Sequence, residues 1–215
     1  MWRQAIWPVT LECGDIVLRP IRHRDKSAWT EIRSRNYDWL APWEASNPNP
    51  GSLLPTFGGM VRALNDQARA GTALPFVITE RPSGPSGLSG LSGPATPRLV
   101  GQLTVSSIVW GSAMMATLGY WVDRDRAGHG IAPTAVAMAT DHCFRSLGLH
   151  RMEINIRPEN APSLRVVEKL GFRDEGLRPR YLHINGKWAD HRSFALTAEE
   201  VPEGLLARWL ASRNG

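Results

Sequence analysis

The chain contains little that would place it outside an aqueous compartment. Among its 215 residues no apolar run approaches the roughly 18 residues that span a bilayer. The opening MWRQAIWPVTLECG holds too short an apolar run for a signal peptide, so a cytoplasmic protein is expected. Cysteine is scarce: Cys13 and Cys143 stand far apart, and reduced, packed thiols are the expectation. The spacing of His142, Cys143 and His150 fits no zinc pattern, so no metal is expected. No unit of 20–50 residues repeats, which excludes a solenoid. No G-K-[ST] follows a glycine loop, which excludes a Walker site. Gly128 and Gly130 lack the third glycine of a dinucleotide fingerprint, because Pro133 holds that slot.

What is present describes a folded domain. Hydrophobic residues make up 42% of the chain and nine tryptophans contribute to them, enough for a sizeable core. The net charge of +5 suits an anionic partner: a nucleotide-bearing cofactor, an acidic peptide or RNA. Charge does not choose among these, and no nucleic-acid motif is present.

The pattern predicts one mixed α/β domain over residues 1–215. DIVLRPI (Asp15 to Ile21) alternates as a strand, and a helix follows with Asp25 as a possible N-cap. YDWLAPWEASNPNPGS reads as a loop because Pro42, Pro48 and Pro50 forbid a long helix. A helix within Leu53 to Gly71 and a strand over Leu74 to Glu80 come next. Arg81 to Arg98, rich in Ser, Gly and Pro, reads as a flexible hairpin insert. Two strands, LVGQLTVSSIVW and MMATLGYWV, precede a helix from about Gly130 to Leu147. The strand RMEINI, the helix in NAPSLRVVEKLGF, a hairpin turning at Asn185-Gly186 and a helix over Ala198 to Leu210 complete the order.

The stretch DRDRAGHGIA lies between a strand and a helix. Residues Gly128 to Ala132 offer unpaired N–H groups at a helix N-terminus, where the helix dipole also favours an anion. Pro133 suits the first turn. Some 30 residues on, Asn160 stands as an N-cap, with Pro162 in the first turn, Ser163 at N3 and Gly171 as the C-cap.

Together, GYWVDRDRAGHGIAPTAV and NIRPENAPSLRVVEKLGF resemble the GCN5-related N-acetyltransferases, the GNAT superfamily. More narrowly they look like the RimJ/RimL branch, which acetylates the N-terminal residue of ribosomal proteins. DIVLRPIRHRDKSAWTEI and YLHINGKWADHRSFALT fit the same branch, so the resemblance covers nearly the whole chain outside the Ser-Gly insert. It implies the GNAT fold: a mostly antiparallel sheet flanked by helices, with two central strands splayed around acetyl-CoA. The family's pyrophosphate loop, [Q/R]-x-x-G-x-[G/A], maps onto Ala127, Gly130 and Ala132. Ala127 departs from that pattern, and Arg126 and His129 are expected to supply positive charge beside Gly128 and Ile131. By the same resemblance Tyr120, Trp121 and Val122 bind the acyl and pantetheine arm through their backbone, and Asn160 and Ser163 face the thiol end.

The resemblance also implies direct transfer within a ternary complex. Ser163 is the expected proton donor to the leaving thiolate. A general base is less obvious: the family's glutamate position falls near Arg180, which cannot serve. Glu153 and Asn155, on one face of their strand, are the candidates, with Asn155 also near the cofactor. Trp39, Trp43 and Tyr181 are expected to line the acceptor groove, and Asp38 or Glu44 to attract a cationic amine. A weak base favours an α-amine acceptor. With a pKa of roughly 7.7–8.0, on the order of a tenth of α-amines are neutral at pH 7, against well under ~0.1% of lysines. The acceptor expected is the N-terminal Ala or Ser of a ribosomal or other cytosolic protein. Alternatives are a small amine (polyamine, amino acid or antibiotic) or a weakly catalytic acyl-CoA-binding module.

Overall fold

A computed structural model describes residues 6–49, 55–82 and 97–213. The Ser-Gly-Pro insert therefore lies almost wholly outside the described residues. The strands are β1 (Leu11–Cys13), β2 (Ile16–Pro20), β3 (Leu74–Glu80), β4 (Arg98–Val109), β5 (Met115–Val122), β6 (Arg151–Ile156), β7 (Arg173–Ile184) and β8 (Lys187–Thr197). The helices are α1 (Lys26–Arg35), α2 (Tyr37–Leu40), α3 (Phe57–Arg69), α4 (Ile131–Arg145), α5 (Ala161–Leu170) and α6 (Leu205–Arg213).

All eight strands form one sheet in the order β1-β2-β3-β4-β5-β6-β8-β7. Every pair is antiparallel except β5 and β6. That exception organises the molecule. β5 and β6 pair only at Met115↔Arg151, Ala116↔Met152 and Thr117↔Glu153. Beyond those residues both strands continue, to Val122 and Ile156, without pairing. The sheet opens there into a V whose edges carry unpaired backbone groups, and such groups need partners.

Alternation along the strands sends side chains to two cores. In β3, Phe76 and Ile78 enter the larger core, with Val136, Ala139 and Cys143 of α4, Val167 and Leu170 of α5, and Leu205 and Trp209 of α6. Val77 points the other way, to Ile32 of α1 and Val61 of α3. α4 is apolar on nearly all sides, as a helix buried between sheet and neighbours must be. Trp209 Nε1 donates to Thr134 at 2.9 Å, and Asp141 accepts from the backbone N–H of Leu205 and Leu206, which caps α6 on α4.

Several expectations need correction. The segment after Tyr37 is not irregular throughout: it forms α2 and a 3-10 turn over Ala41–Trp43, and Ala45 bridges to Ile184. The prolines shorten the helices there without preventing them. The last helix starts at Leu205, because Pro202 and Gly204 interrupt the chain after the 3-10 turn Ala198–Glu200. Asp25 does not cap α1 with its side chain; it takes two hydrogen bonds from Arg19, at 2.9 and 2.8 Å. β1 was not expected; it is three residues long, too short for an alternation to register.

Candidate active site

One cleft of about 580 Å³ follows the opening of the V. One end is built by the connection from β5 to α4. Asp123, fully buried, accepts from Asn36, Arg35 and Arg98, and from the N–H of Asp125 inside the 3-10 turn Arg124–Arg126. Gly128 and Gly130 take φ of 83° and 79°, the left-handed region that disfavours other residues. A Cβ at Gly128 would meet nothing within 4 Å, so the backbone there faces open space. Within α4 the N–H groups of Ile131 and Ala132 have no helical acceptor, and Pro133 has no N–H to satisfy. Bare amides at a positive helix end fit a pyrophosphate.

The flanking side chains depart from expectation. Arg126 lines the cleft, but its guanidinium is ion-paired with Glu80 of β3. His129 is exposed and turned back, with Nδ1 3.0 Å from the carbonyl oxygen of Ala127, and does not line the cleft. The cations that sequence reasoning missed are Arg165 and Lys169, one turn apart on α5, both exposed along the cleft. That i, i+4 spacing was legible as one helical face.

At the middle of the cleft, Ser163 follows the N-cap: Asn160 Oδ1 accepts from the Ser163 N–H at 3.2 Å, with Pro162 in the first turn. The Ser163 hydroxyl is the polar neighbour of Tyr120. The Tyr120 hydroxyl is buried and has no hydrogen-bond partner. Burial pushes its pKa well up, and the opposing influence of Ser163 is weaker, so the phenol stays protonated and able to donate.

The acceptor side lies on the opposite face of the sheet. Gln102, Thr104 and Ser106 of β4 line it, alternating with Leu103 and Val105 in the core. This period-2 pattern was readable in LVGQLTVSS. A Cβ at Gly119 of β5 would meet nothing within 4 Å. Trp39, Trp43 and Trp121 wall the space, with Arg33 and Glu44. Trp39 Nε1 donates to the Val122 carbonyl at 3.3 Å, and Trp29 Nε1 donates to Gln102 at 2.9 Å.

The cleft thus gathers Tyr120, Trp121, Val122, Arg126, Ala127, Gly128, Gly130, Ile131, Ala132, Asn160, Ser163, Trp39 and Trp43. It leaves out three residues besides His129. Glu153, 5% exposed, sits where β5 and β6 still pair, with Oε1 bound by Arg151 and Oε2 by Arg178. A carboxylate with both oxygens taken by guanidinium groups is poorly placed to accept a proton. Asn155 accepts from the Ser193 hydroxyl at 2.9 Å. Tyr181 packs against His191 and under Arg178. The Cys143 thiol is fully buried, and burial pushes its pKa up to about 12. Among the described residues no cluster of His, Cys, Asp or Glu could hold a metal, and no helix is long and apolar enough to cross a membrane.

A sheet opened into a V, with bare amides at a helix start on one side and a tryptophan-walled groove on the other, suits an acyl-CoA-dependent transferase. Comparison with known proteins narrows this. Residues 15–173 match the acetyltransferase (GNAT) domain, and the chain belongs to that family; it is an N-acetyltransferase that uses acetyl-CoA. It is similar, at 38% identity and a TM-score of 0.82, to the structure of Mycobacterium smegmatis RimJ in complex with CoA-disulfide, covering 96% of both chains. The [ribosomal protein uS5]-alanine N-acetyltransferase of Escherichia coli K12 is 27% identical over 94% of this chain and 98% of its own. A Bacillus subtilis chain named "Probable N-acetyltransferase YjcK" is 39% identical over 99 residues, which cover 46% of this chain and 55% of that one.

Proposed function

We propose that the protein transfers the acetyl group of acetyl-CoA directly to the N-terminal α-amine, Ala or Ser, of a ribosomal or other cytosolic protein. The observation that carries this reading is the single cleft running from the amides at the start of α4, past Ser163, to a tryptophan-walled opening on the other face of the sheet. Two substrates can meet there without a covalent enzyme intermediate. The similarity to enzymes named for ribosomal-protein alanine, over nearly the full chain, supports the acceptor class.

Acetyl-CoA supplies the activated thioester. The amides of Gly128 to Ala132 hold its pyrophosphate, helped by Arg165 and Lys169. The unpaired edge of β5 would pair with the pantetheine arm and orient the carbonyl through Leu118 to Trp121 and the Val122 N–H, the Val122 carbonyl being held by Trp39. The amine, having lost its ammonium proton to water at the open end of the cleft, would attack that carbonyl; a C–N bond would form, the C–S bond would break, and the new amide nitrogen would release its remaining extra proton to water. Ser163 would donate a hydrogen bond, then a proton, to the departing sulfur and regain one from water in the cleft, while Tyr120 stays neutral beside it as a hydrogen-bond donor.

Incubation with acetyl-CoA and a panel of Ala- and Ser-starting peptides, lysine-bearing peptides with blocked N-termini, and small amines tests the reading, with free thiol as the readout. Turnover on the unblocked peptides is expected. Turnover confined to lysine side chains or small amines would refute the acceptor class, and binding without turnover would refute transfer.

A further inference from the structure

With Glu153 held by two arginines, another group must meet the incoming amine. Glu44 is the one carboxylate that lines the cleft among the described residues. The others nearby are engaged elsewhere: Glu80 with Arg126, Glu159 with Arg157, and Asp123 buried beneath its donors. Asp38, on the same segment, is exposed and outside the lining.

The position of Glu44 is fixed from three sides. Its backbone follows the 3-10 turn Ala41–Trp43, with its N–H donating to Ala41 at 3.4 Å. Its carbonyl accepts from Asn185 at 3.4 Å, and the next residues continue onto the β7–β8 hairpin through the Ala45↔Ile184 bridge and the Ser46 N–H to His183 bond of 2.8 Å. Its side chain is ion-paired through Oε1 with Arg33. Arg33 cannot wander, because its guanidinium lies 5.1 Å from the Trp29 ring centre and 5.6 Å from that of Trp121. Oε1 is shielded from solvent and is the oxygen nearest Arg33, the side chain as a whole is 35% exposed, and among the described residues no hydrogen bond reaches Oε2.

We infer that Glu44 is the acceptor-binding carboxylate: Oε2 receives the primary ammonium group of the acceptor between Trp39, Trp43 and Trp121, while Arg33 holds Oε1. The chemistry favours this assignment. A primary ammonium offers donors to the free oxygen, and a partly desolvated carboxylate attracts a cation more strongly than one in water. The aromatic faces add to the attraction for a cation. Arg33 neutralises the carboxylate only in part while fixing its direction, so the site is charged enough to attract and rigid enough to aim. The inference rests on the acetyl-transfer reading for the identity of the second substrate, but not for the binding itself.

The same ammonium could belong to a peptide N-terminus, a lysine or a polyamine, and the test separates them. Glu44→Gln, Glu44→Asp and, as a control outside the lining, Asp38→Asn are compared with the parent protein. Acetyl-CoA affinity, read by tryptophan fluorescence, is expected to agree within about twofold in all four, which also shows that each is folded. With the amine class that the parent acetylates, Glu44→Gln is expected to raise KM about tenfold or more with kcat within about threefold, Glu44→Asp to fall between, and Asp38→Asn to match the parent. Calorimetric titration of the same amines into the CoA-bound proteins gives a readout independent of turnover. If the parent binds a peptide amine and Glu44→Gln does not, the assignment stands even should transfer itself fail. An unchanged KM and affinity in Glu44→Gln would overturn it while leaving acetyl transfer intact, and failure of the parent to bind any amine would overturn both.

Discussion

Asn36 and Asp123 meet across the molecule: the Asn36 side-chain N–H donates to the Asp123 carboxylate at 2.9 Å, and Asn36 Oδ1 accepts from the Arg124 N–H at 2.9 Å. Asn36 joins α1 to α2, which carries Trp39 of the cleft wall and leads to Trp43. Asp123 starts the loop whose bare amides line the other end of the cleft. The two halves of the cleft therefore share one buried anchor.

Removing that anchor should cost stability and cofactor affinity together. Asp123→Ala leaves Asn36, Arg35 and Arg98 without their acceptor, and a loss of about 2–4 kcal/mol is expected, read by denaturant unfolding. Burial alone would raise the Asp123 pKa, but hydrogen bonds from Asn36 and Arg35 outweigh it and hold the carboxyl below its ordinary value. The depressed pKa means that its stabilisation is complete above about pH 4, the unfolded carboxylate value, and is lost as pH falls through the lower folded value. Asp123→Ala should flatten the acid side of the stability profile.

Ser163→Ala is expected to lower kcat about a hundredfold, with acetyl-CoA affinity within about threefold, because only the departing sulfur loses its donor. Tyr120→Phe should reduce kcat by a smaller factor, about threefold to tenfold. Equal kcat in Ser163→Ala and the parent would show that the serine serves only at the helix start.

Glu153→Gln tests whether that carboxylate takes part in chemistry. Because Arg151 and Arg178 occupy both oxygens, kcat should fall by less than about tenfold while stability drops by about 1–3 kcal/mol. A fall in kcat of about a thousandfold in a protein of unchanged stability would restore Glu153 as the base.

Ala127→Gln adds a donor beside amides whose neighbouring Arg126 is committed to Glu80. Acetyl-CoA should bind about twofold to tenfold more tightly, the range of one added hydrogen bond of ordinary net strength at a solvated site. Calorimetry reads this directly, and unchanged affinity would mean that the backbone amides already saturate the phosphate.

Cys143 should be silent in catalysis. Its buried thiol, with a pKa of about 12, is expected to resist thiol reagents in the native protein and to react on unfolding. Cys143→Ala should retain full activity, at a stability cost of about 1 kcal/mol for the small cavity.

Much of this protein was determined locally. Gly130 and Gly171 in the left-handed region, Asn160 capping α5, and the turn at Asn185-Gly186 each act on neighbours a few residues away. Such chemistry reads directly from sequence, and it set Gly130 and Ser163 at helix starts, where the structure has them. The alternation of Gln102, Thr104 and Ser106 was equally available but went unread.

Other features depend on what distant strands bring together. The sheet order places Arg178 of β7 and Arg151 of β6 on Glu153, so both oxygens of the carboxylate that residue type alone suggested as a base accept from arginines. The hairpin bond from Asn185 and the caged Arg33 bring Glu44 to the cleft, although its segment is punctuated by prolines. The opening between β5 and β6 exists because their pairing stops after Thr117 and Glu153, a register no local preference encodes. Backbone propensity is a property of neighbours in the chain. Whether a carboxylate is held by arginine or left facing a substrate depends on neighbours in space, and only the folded structure supplies those.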